Sequence, residues 1–349
     1  MAERQFTING RTLAPGTRET VELPLGHLYT HAPMSMPVHV VHGKRAGPTL
    51  FVCAAVHGDE LNGIEIIRRL LRRRALARLR GTLIAAPMVN VYGVIQQSRY
   101  LPDRRDLNRS FPGSERGSLA ARLADLFMNE IVERCTHGID LHTAARHRVN
   151  LPQIRGNLDD AQTLGLARSF GVPVLINSVM RDGSLRAAAA ARGIPMLLYE
   201  AGEALRFDEL SIRAGVQGIL NVMRALEMLA PARGRRSETA KEPYVARSSA
   251  WVRAPEGGIF RGAVPLGAYV ARGDVLGYIA DPFGDHESAV IAPSLGIVIG
   301  RSNLPLVHQG EALFHLASFE ESREVAEHVE AFQASHEEAI ESDPESSIV

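Results

Sequence analysis

The chain has 349 residues, long for one ordinary domain, and its 45% hydrophobic and 22% charged residues match a soluble globular protein. Lys+Arg and Asp+Glu number 39 each, so no net charge draws the chain to nucleic acid or an anionic membrane, and neither is expected as a partner. No stretch approaches the roughly 18 uninterrupted apolar residues of a membrane span. MAERQFTINGRTL lacks the charged-then-apolar order of a secretion signal, so a cytoplasmic protein is expected.

The first 45 or so residues read as short strands broken by Pro and Gly, among them TVELPL and MPVHVVHG. The rhythm then turns to strand, helix, strand. TLFVCAAV is nearly all apolar, as a strand covered on both faces is. LNGIEIIRRLLRRRAL sets Leu61, Ile64, Ile67, Leu70 and Leu71 at helical spacing. The arginines from Arg68 to Arg80 lie opposite that stripe with no aromatics between them, which reads as a solvated face. TLIAAPMVN, GIDLH, VPVLIN and PMLLYEAG are further buried strands. SLAARLADLFMNEIVERC, LDDAQTLGLARSFG and ELSIRAGVQGILNVMRALEML are amphipathic helices between and after them. Such alternation predicts an α/β domain with a mainly parallel sheet. Cys53 and Cys135 both fall in apolar settings and read as small buried hydrophobes.

At PARGRRSETAKEP the composition becomes polar and proline-bracketed, as in an inter-domain linker. Short alternating segments follow, without helical period, and predict a small all-β domain. The expected division is a catalytic domain over 1–235, a linker over 236–243, a β domain over 244–319, and an acidic helical or disordered tail over 320–349.

The chemistry gathers where strands end, the place where open α/β sheets collect ligands. FVCAAVHGDE brings His57 and Glu60 to such an end, three residues apart, with Gly58 between them to permit a sharp backbone. Imidazole nitrogen and carboxylate oxygen are good zinc ligands. Alone, His-x-x-Glu is a common pattern and singles out no metal site. GIDLHTA supplies a third candidate, His142, with Asp140 close enough to support it; His137 and His147 compete. SRYLPDRRDLNRSFPG is a loop dense in Arg and Asp, and arginine's planar fork suits carboxylates. LLYEAG ends an apolar run in Glu200, a carboxylate costly to bury without a task or partner.

In this order, HGDELNG, RDLNRSFPG, DLHT and LLYEAG resemble the succinylglutamate desuccinylase/aspartoacylase family, a branch related to the zinc carboxypeptidases. The resemblance covers roughly residues 45–320. It implies a zinc-carboxypeptidase-like α/β domain with a mixed, mainly parallel sheet flanked by helices, plus a small all-β barrel-sandwich domain. It implies one zinc ion per chain, held by His57, Glu60 and His142, and Glu200 as the catalytic acid/base. Asn108 and Arg109 match the pair that grips a substrate carboxylate. Arg99 matches the arginine that polarises the scissile carbonyl, with Arg104 and Arg105 in the same loop as rivals. Arg186 matches a second anion-gripping arginine, at a different spacing from the catalytic Glu.

The segments PEGGIFRGAVPLGAYVARGDVLGYI and VIAPSLGIVIG resemble lipoyl/biotinyl barrels. No Lys occurs in residues 244–349, which excludes a swinging-arm carrier. In the family this domain narrows the cleft, with Tyr269 or Tyr278 as candidates to reach substrate. The function so implied is zinc-dependent hydrolysis of a small N-acyl amino acid or N-acyl diamino acid, of deacetylase or desuccinylase type, by Glu-assisted attack of water. A homo-oligomer is compatible with it. The rival readings are a metallocarboxypeptidase for short peptides, a non-catalytic binding relative and an interaction module.

Overall fold

A computed structural model describes residues 5–231 and 242–341; most of the expected linker lies outside them. Strands β1 (Phe6–Ile8) and β2 (Arg11–Leu13) make a small ladder, followed by β3 (Arg18–His27) and β4 (Pro33–His42). The catalytic region continues as β5 (Arg45–Ala54), α1 (Asn62–Leu71), β6 (Arg80–Ala86), α2 (Val91–Ile95), α3 (Leu119–Glu130), β7 (His137–Ala144) and β8 (Arg148–Gly156). It closes with α4 (Ala161–Phe170), β9 (Val174–Asn177), α5 (Leu185–Ala190), β10 (Met196–Glu203) and α6 (Glu209–Ala225). The C-terminal strands are β11 (Tyr244–Ala246), β12 (Ser248–Arg253), β13 (Gly258–Gly262), β14 (Tyr269–Val270), β15 (Val275–Ala280), β16 (Glu287–Ile291), β17 (Gly296–Ser302), β18 (Leu306–Val307) and β19 (Ala312–Ser318). Helix α7 (Ser322–Glu341) ends the described chain.

The large sheet runs β12-β19-β17-β8-β10-β7-β5-β6-β4-β3. Its centre, β10-β7-β5-β6, is parallel, and antiparallel strands extend it on both sides. This is the expected architecture, a mixed sheet flanked by helices with an antiparallel β region at the C-terminus. The opening strands are longer than their prolines suggested. Pro24 sits in β3, the edge strand, where a missing N–H costs little, and Pro37 lies beyond the part of β4 that pairs with β6.

Side-chain caps fix the helix starts. Asp160 accepts from Thr163 N at 2.7 Å for α4, and Asp208 from Ser211 N at 2.7 Å for α6. Gly171, at φ +94°, ends α4. Helices α1, α4 and α6 cover one face of the sheet over a core that includes Leu50, Val52, Ile139, Leu197 and Tyr199. Helices α3 and α5 cover part of the other face, over Phe51, Cys53, Phe127 and Met196. The arginine run is mostly exposed. Arg69 departs from that pattern: it forks onto Glu209 of α6 at 2.6 and 2.8 Å and ties α1 to α6. The C-terminal β region has its own core around Phe260, Leu276, Leu313 and Phe314. It joins the main sheet where β17 pairs with β8.

Candidate metal centre

Beyond β5 the chain turns through Ala55, at φ +51°, and delivers His57 and Glu60 ahead of α1. Gly58 serves here by smallness rather than by an unusual φ: a Cβ there would lie 1.9 Å from the carbonyl carbon of Gly93 in α2. From the neighbouring parallel strand, β7 presents His142. All three side chains are buried.

Glu60 stands between the two rings. Its Oε1 lies 2.7 Å from His57 Nδ1 and its Oε2 lies 2.7 Å from His142 Nδ1. The backbone N–H of Thr143 also donates to Oε2, at 3.2 Å. Each ring is held from behind by an aspartate: His142 Nε2 by Asp140 at 2.8 Å, and His57 Nε2 by Asp106 at 3.1 Å. Asp140 Oδ1 takes the Cys53 thiol at 3.3 Å, and both cysteines are free and buried.

Burial opposes charge on all three groups, and their mutual attraction outweighs it. Asp140 and Glu60 hold the His142 pKa well above the usual value, and Glu60 with Asp106 raises that of His57. The two rings in turn hold Glu60 well below the usual carboxylate range. The candidate ligand atoms lie within 4.8 Å of one another. Two imidazole nitrogens and one carboxylate oxygen are the donor set of a catalytic zinc site with a further position for water, so these residues fit the ion.

The arginine loop sorts itself by exposure. Arg99 turns inward, with Nη1 3.3 Å from His57 Nδ1 and 3.5 Å from Glu60 Oε1, and Nη2 donating to Asp106 at 3.0 Å. Arg104 and Arg105 are exposed, and Arg105 faces Asp103 at 3.8 Å. Asn108 Oδ1 accepts from Leu185 N at 3.0 Å, at the start of α5. Arg109 is exposed and donates to the carbonyl of Asn108. Arg186 is half-buried, donating to Ser178 Oγ at 2.6 Å and to Val179 O at 3.1 Å. Burial and then Arg155 lower its pKa, against the fields of Glu200 and Asp140.

Glu200 in β10 is registered opposite His142 on one side and Gln153 on the other. Its Oε2 accepts from Asn150 Nδ2 at 2.9 Å. Gly300 of β17 makes room for that amide: a Cβ there would meet Asn150 Oδ1 at 2.9 Å.

His137 is the first residue of β7; it bonds Thr136 and Gln162, away from the cluster. His147 lies in the turn between β7 and β8. Tyr269 and Tyr278 lie on the C-terminal strands under Arg323 and Arg261. Sequence reasoning missed Asp106 and Asn150. Asp106 had a local signal, since it accepts from Asn108 N two residues on, at 2.8 Å, the spacing of an Asx turn. Asn150 had none, because its partner lies across a sheet register.

Comparison with known proteins finds a matching family and relatives of the same fold. The family model for the succinylglutamate desuccinylase/aspartoacylase catalytic domain matches residues 46–226, just over half of the chain. N-alpha-acetyl-L-2,4-diaminobutyric acid deacetylase of Halomonas elongata is 27% identical over 301 residues, 82% of this chain and 86% of that protein. Succinylglutamate desuccinylase of Pseudomonas aeruginosa is 29% identical over 159 residues, 42% of this chain and 43% of that protein. The crystal structure of a succinylglutamate desuccinylase/aspartoacylase from Rhodobacter sphaeroides superposes with a TM-score of 0.76 at 27% identity, covering 86% of this chain and 96% of that one. The matched span contains every residue of the buried cluster, and the chain belongs to the succinylglutamate desuccinylase/aspartoacylase family.

Proposed function

We propose that the protein is an amidohydrolase cleaving the acyl–amide bond of a small N-acyl amino acid or N-acyl diamino acid. His57, Glu60 and His142 would hold one zinc ion per chain. The observation that carries this reading is the place of Glu200, one strand from His142 and level with it, with Asn150 fixing its carboxylate. The enzymes named above, a deacetylase and a desuccinylase, remove acyl groups from amino-acid nitrogens, which supports it.

A zinc ion bound there supplies a Lewis acid and lowers the pKa of water toward ~7. Glu200 takes the proton from the attacking water and returns it to the leaving nitrogen. Asp140 and Asp106 engage the Nε2 atoms and keep both Nδ1 atoms facing Glu60. Arg99, already beside Glu60, donates to the carbonyl oxygen as its negative charge grows. The Nδ2 of Asn108, with Arg109 and Arg186, binds the substrate carboxylate.

Among the described residues no helix is long and apolar enough to cross a membrane. Two free, buried cysteines fit a reducing, cytoplasmic compartment. The division at 1–235, 244–319 and 320–349 is the domain scheme that accompanies this reading.

Glu200→Gln should lose ~10²–10⁴-fold in turnover on an active member of a panel of N-acetyl and N-succinyl amino acids, while binding as much zinc as wild type. Full activity in that variant would overturn the mechanism.

A further inference from the structure

The two aspartates behind the imidazoles are held in different ways. Asp106 accepts from Arg99 Nη2 at 3.0 Å and from the backbone N–H of Asn108 at 2.8 Å, besides facing the His57 ring at 3.1 Å. Asp140 lies deeper, 1% exposed, and each of its oxygens has one partner. Oδ2 faces His142 Nε2 at 2.8 Å, and Oδ1 accepts from the Cys53 thiol at 3.3 Å. No further hydrogen bond or ion pair reaches this carboxylate among the described residues. Arg186, whose pKa responds to its charge, donates instead to Ser178 and Val179. A buried carboxylate depends on the donors it has, and Asp140 Oδ1 has the thiol alone.

The sheet puts the thiol in that place. Cys53 on β5 and Asp140 on β7 are register partners in a parallel pair, so their side chains share a face. On its other side Cys53 is level with Ala86 of β6, whose methyl group offers no polar atom. Cys53 otherwise belongs to the apolar cluster that includes Phe51, Val56 and Ala86. Burial first, and the charge of Asp140 second, push the thiol pKa well up, so the sulfur keeps its proton and can donate. A cysteine that only filled space would be indifferent to the carboxylate beside it. This one meets the oxygen that His142 leaves open.

We propose that Cys53 is a positioning residue for the metal centre: its S–H fixes the Asp140 carboxylate so that Oδ2 stays on His142 Nε2 and Nδ1 stays turned towards Glu60. The relay runs from Cys53 through Asp140 to His142, and the proposal rests on the reading of His57, Glu60 and His142 as a metal site. His57 does not depend on it, because Arg99 and Asn108 hold Asp106 without the thiol. Loss of the thiol therefore acts on one imidazole of the pair. What this role needs at position 53 is a donor, not apolar bulk, and that difference can be measured.

The test compares Cys53→Val, which keeps apolar bulk and loses the donor, with Cys53→Ser, which keeps a donor and loses bulk. The zinc affinity of each purified full-length protein is measured by competition with a chromophoric chelator. Cys53→Val should bind zinc about tenfold more weakly than wild type, the scale for groups that orient a metal ligand from behind. Cys53→Ser should stay within about threefold of wild type, because its hydroxyl still donates to Asp140. A role in packing alone predicts the reverse order, with Val the better replacement. On an Asp140→Ala background, Cys53→Val should weaken binding no further, since the thiol then has nothing to act through. If Cys53→Val does not fold, Cys53→Ala beside Cys53→Ser makes the same comparison. Wild-type affinity in Cys53→Val, a loss in Cys53→Ser as large as in Cys53→Val, or an undiminished effect beside Asp140→Ala each overturns the proposal. A wild type that binds no zinc fails the metal-site reading and the proposal with it. Normal wild-type binding with an unmoved Cys53→Val fails the proposal alone.

Discussion

Strands β7, β10 and β8 have two unlike faces. One carries Ile139, Leu141, Leu197, Tyr199 and Ile154, each at most 1% exposed and packed under α1, α4 and α6. The other carries Asp140, His142, Glu200, Gln153 and Arg155. Backbone and register are shared, and only the alternation of side chains separates the two. The first face is held by apolar area, and the Tyr199 hydroxyl, its one polar tip, donates to Ser211 O at 2.7 Å. The second is held by charges that stabilise one another in a buried setting. Its cost in uncompensated polarity rests on the packing of the first. Stability and chemistry should therefore respond to different mutations on the same strands.

The largest separation should come from Leu197→Ala, which opens a cavity on the apolar face. A loss of ~2–5 kcal/mol in denaturant unfolding is expected, with turnover per folded molecule retained. Lost turnover at unchanged stability would break the comparison. Asp140→Asn acts on the other face. It removes the carboxylate behind His142 and should weaken metal binding ~10–100-fold in a chelator competition, with a smaller change in stability. The third effect is a pH dependence. His315 is buried neutral, with its pKa pushed down to about 3 from the ordinary 6.5. Between those values the unfolded chain binds the extra proton. The contribution of His315 is therefore fully present above pH 6.5 and is lost as pH falls towards 3. His315→Phe should flatten that part of the acid-unfolding curve, and an unchanged acid arm would show that other groups govern it.

The sequence made the strands legible because a run covered on both faces is almost wholly apolar, and its end is marked by the first ionisable residue. His57, Glu60, His142 and Glu200 were visible on that ground, and the structure brings the first three together. What stayed hidden depends on register. Nothing local says that Glu200 stands level with both His142 and Gln153, since pairing is decided by neighbours some fifty residues away. Asn150 was invisible for the same reason, and its contact also needs Gly300 from the C-terminal region. The arginine loop failed differently. Composition marked it as a place for anions, but only the fold could turn Arg99 inward and leave Arg104 and Arg105 outside.

The most direct test of the central claim is metal content, wild type beside His142→Ala, by mass spectrometry of the purified and zinc-reconstituted proteins. The account predicts about one zinc per wild-type chain and a variant that holds little or none while still folding. A wild type that takes up no metal, or a variant that keeps it, would contradict the site built from His57, Glu60 and His142.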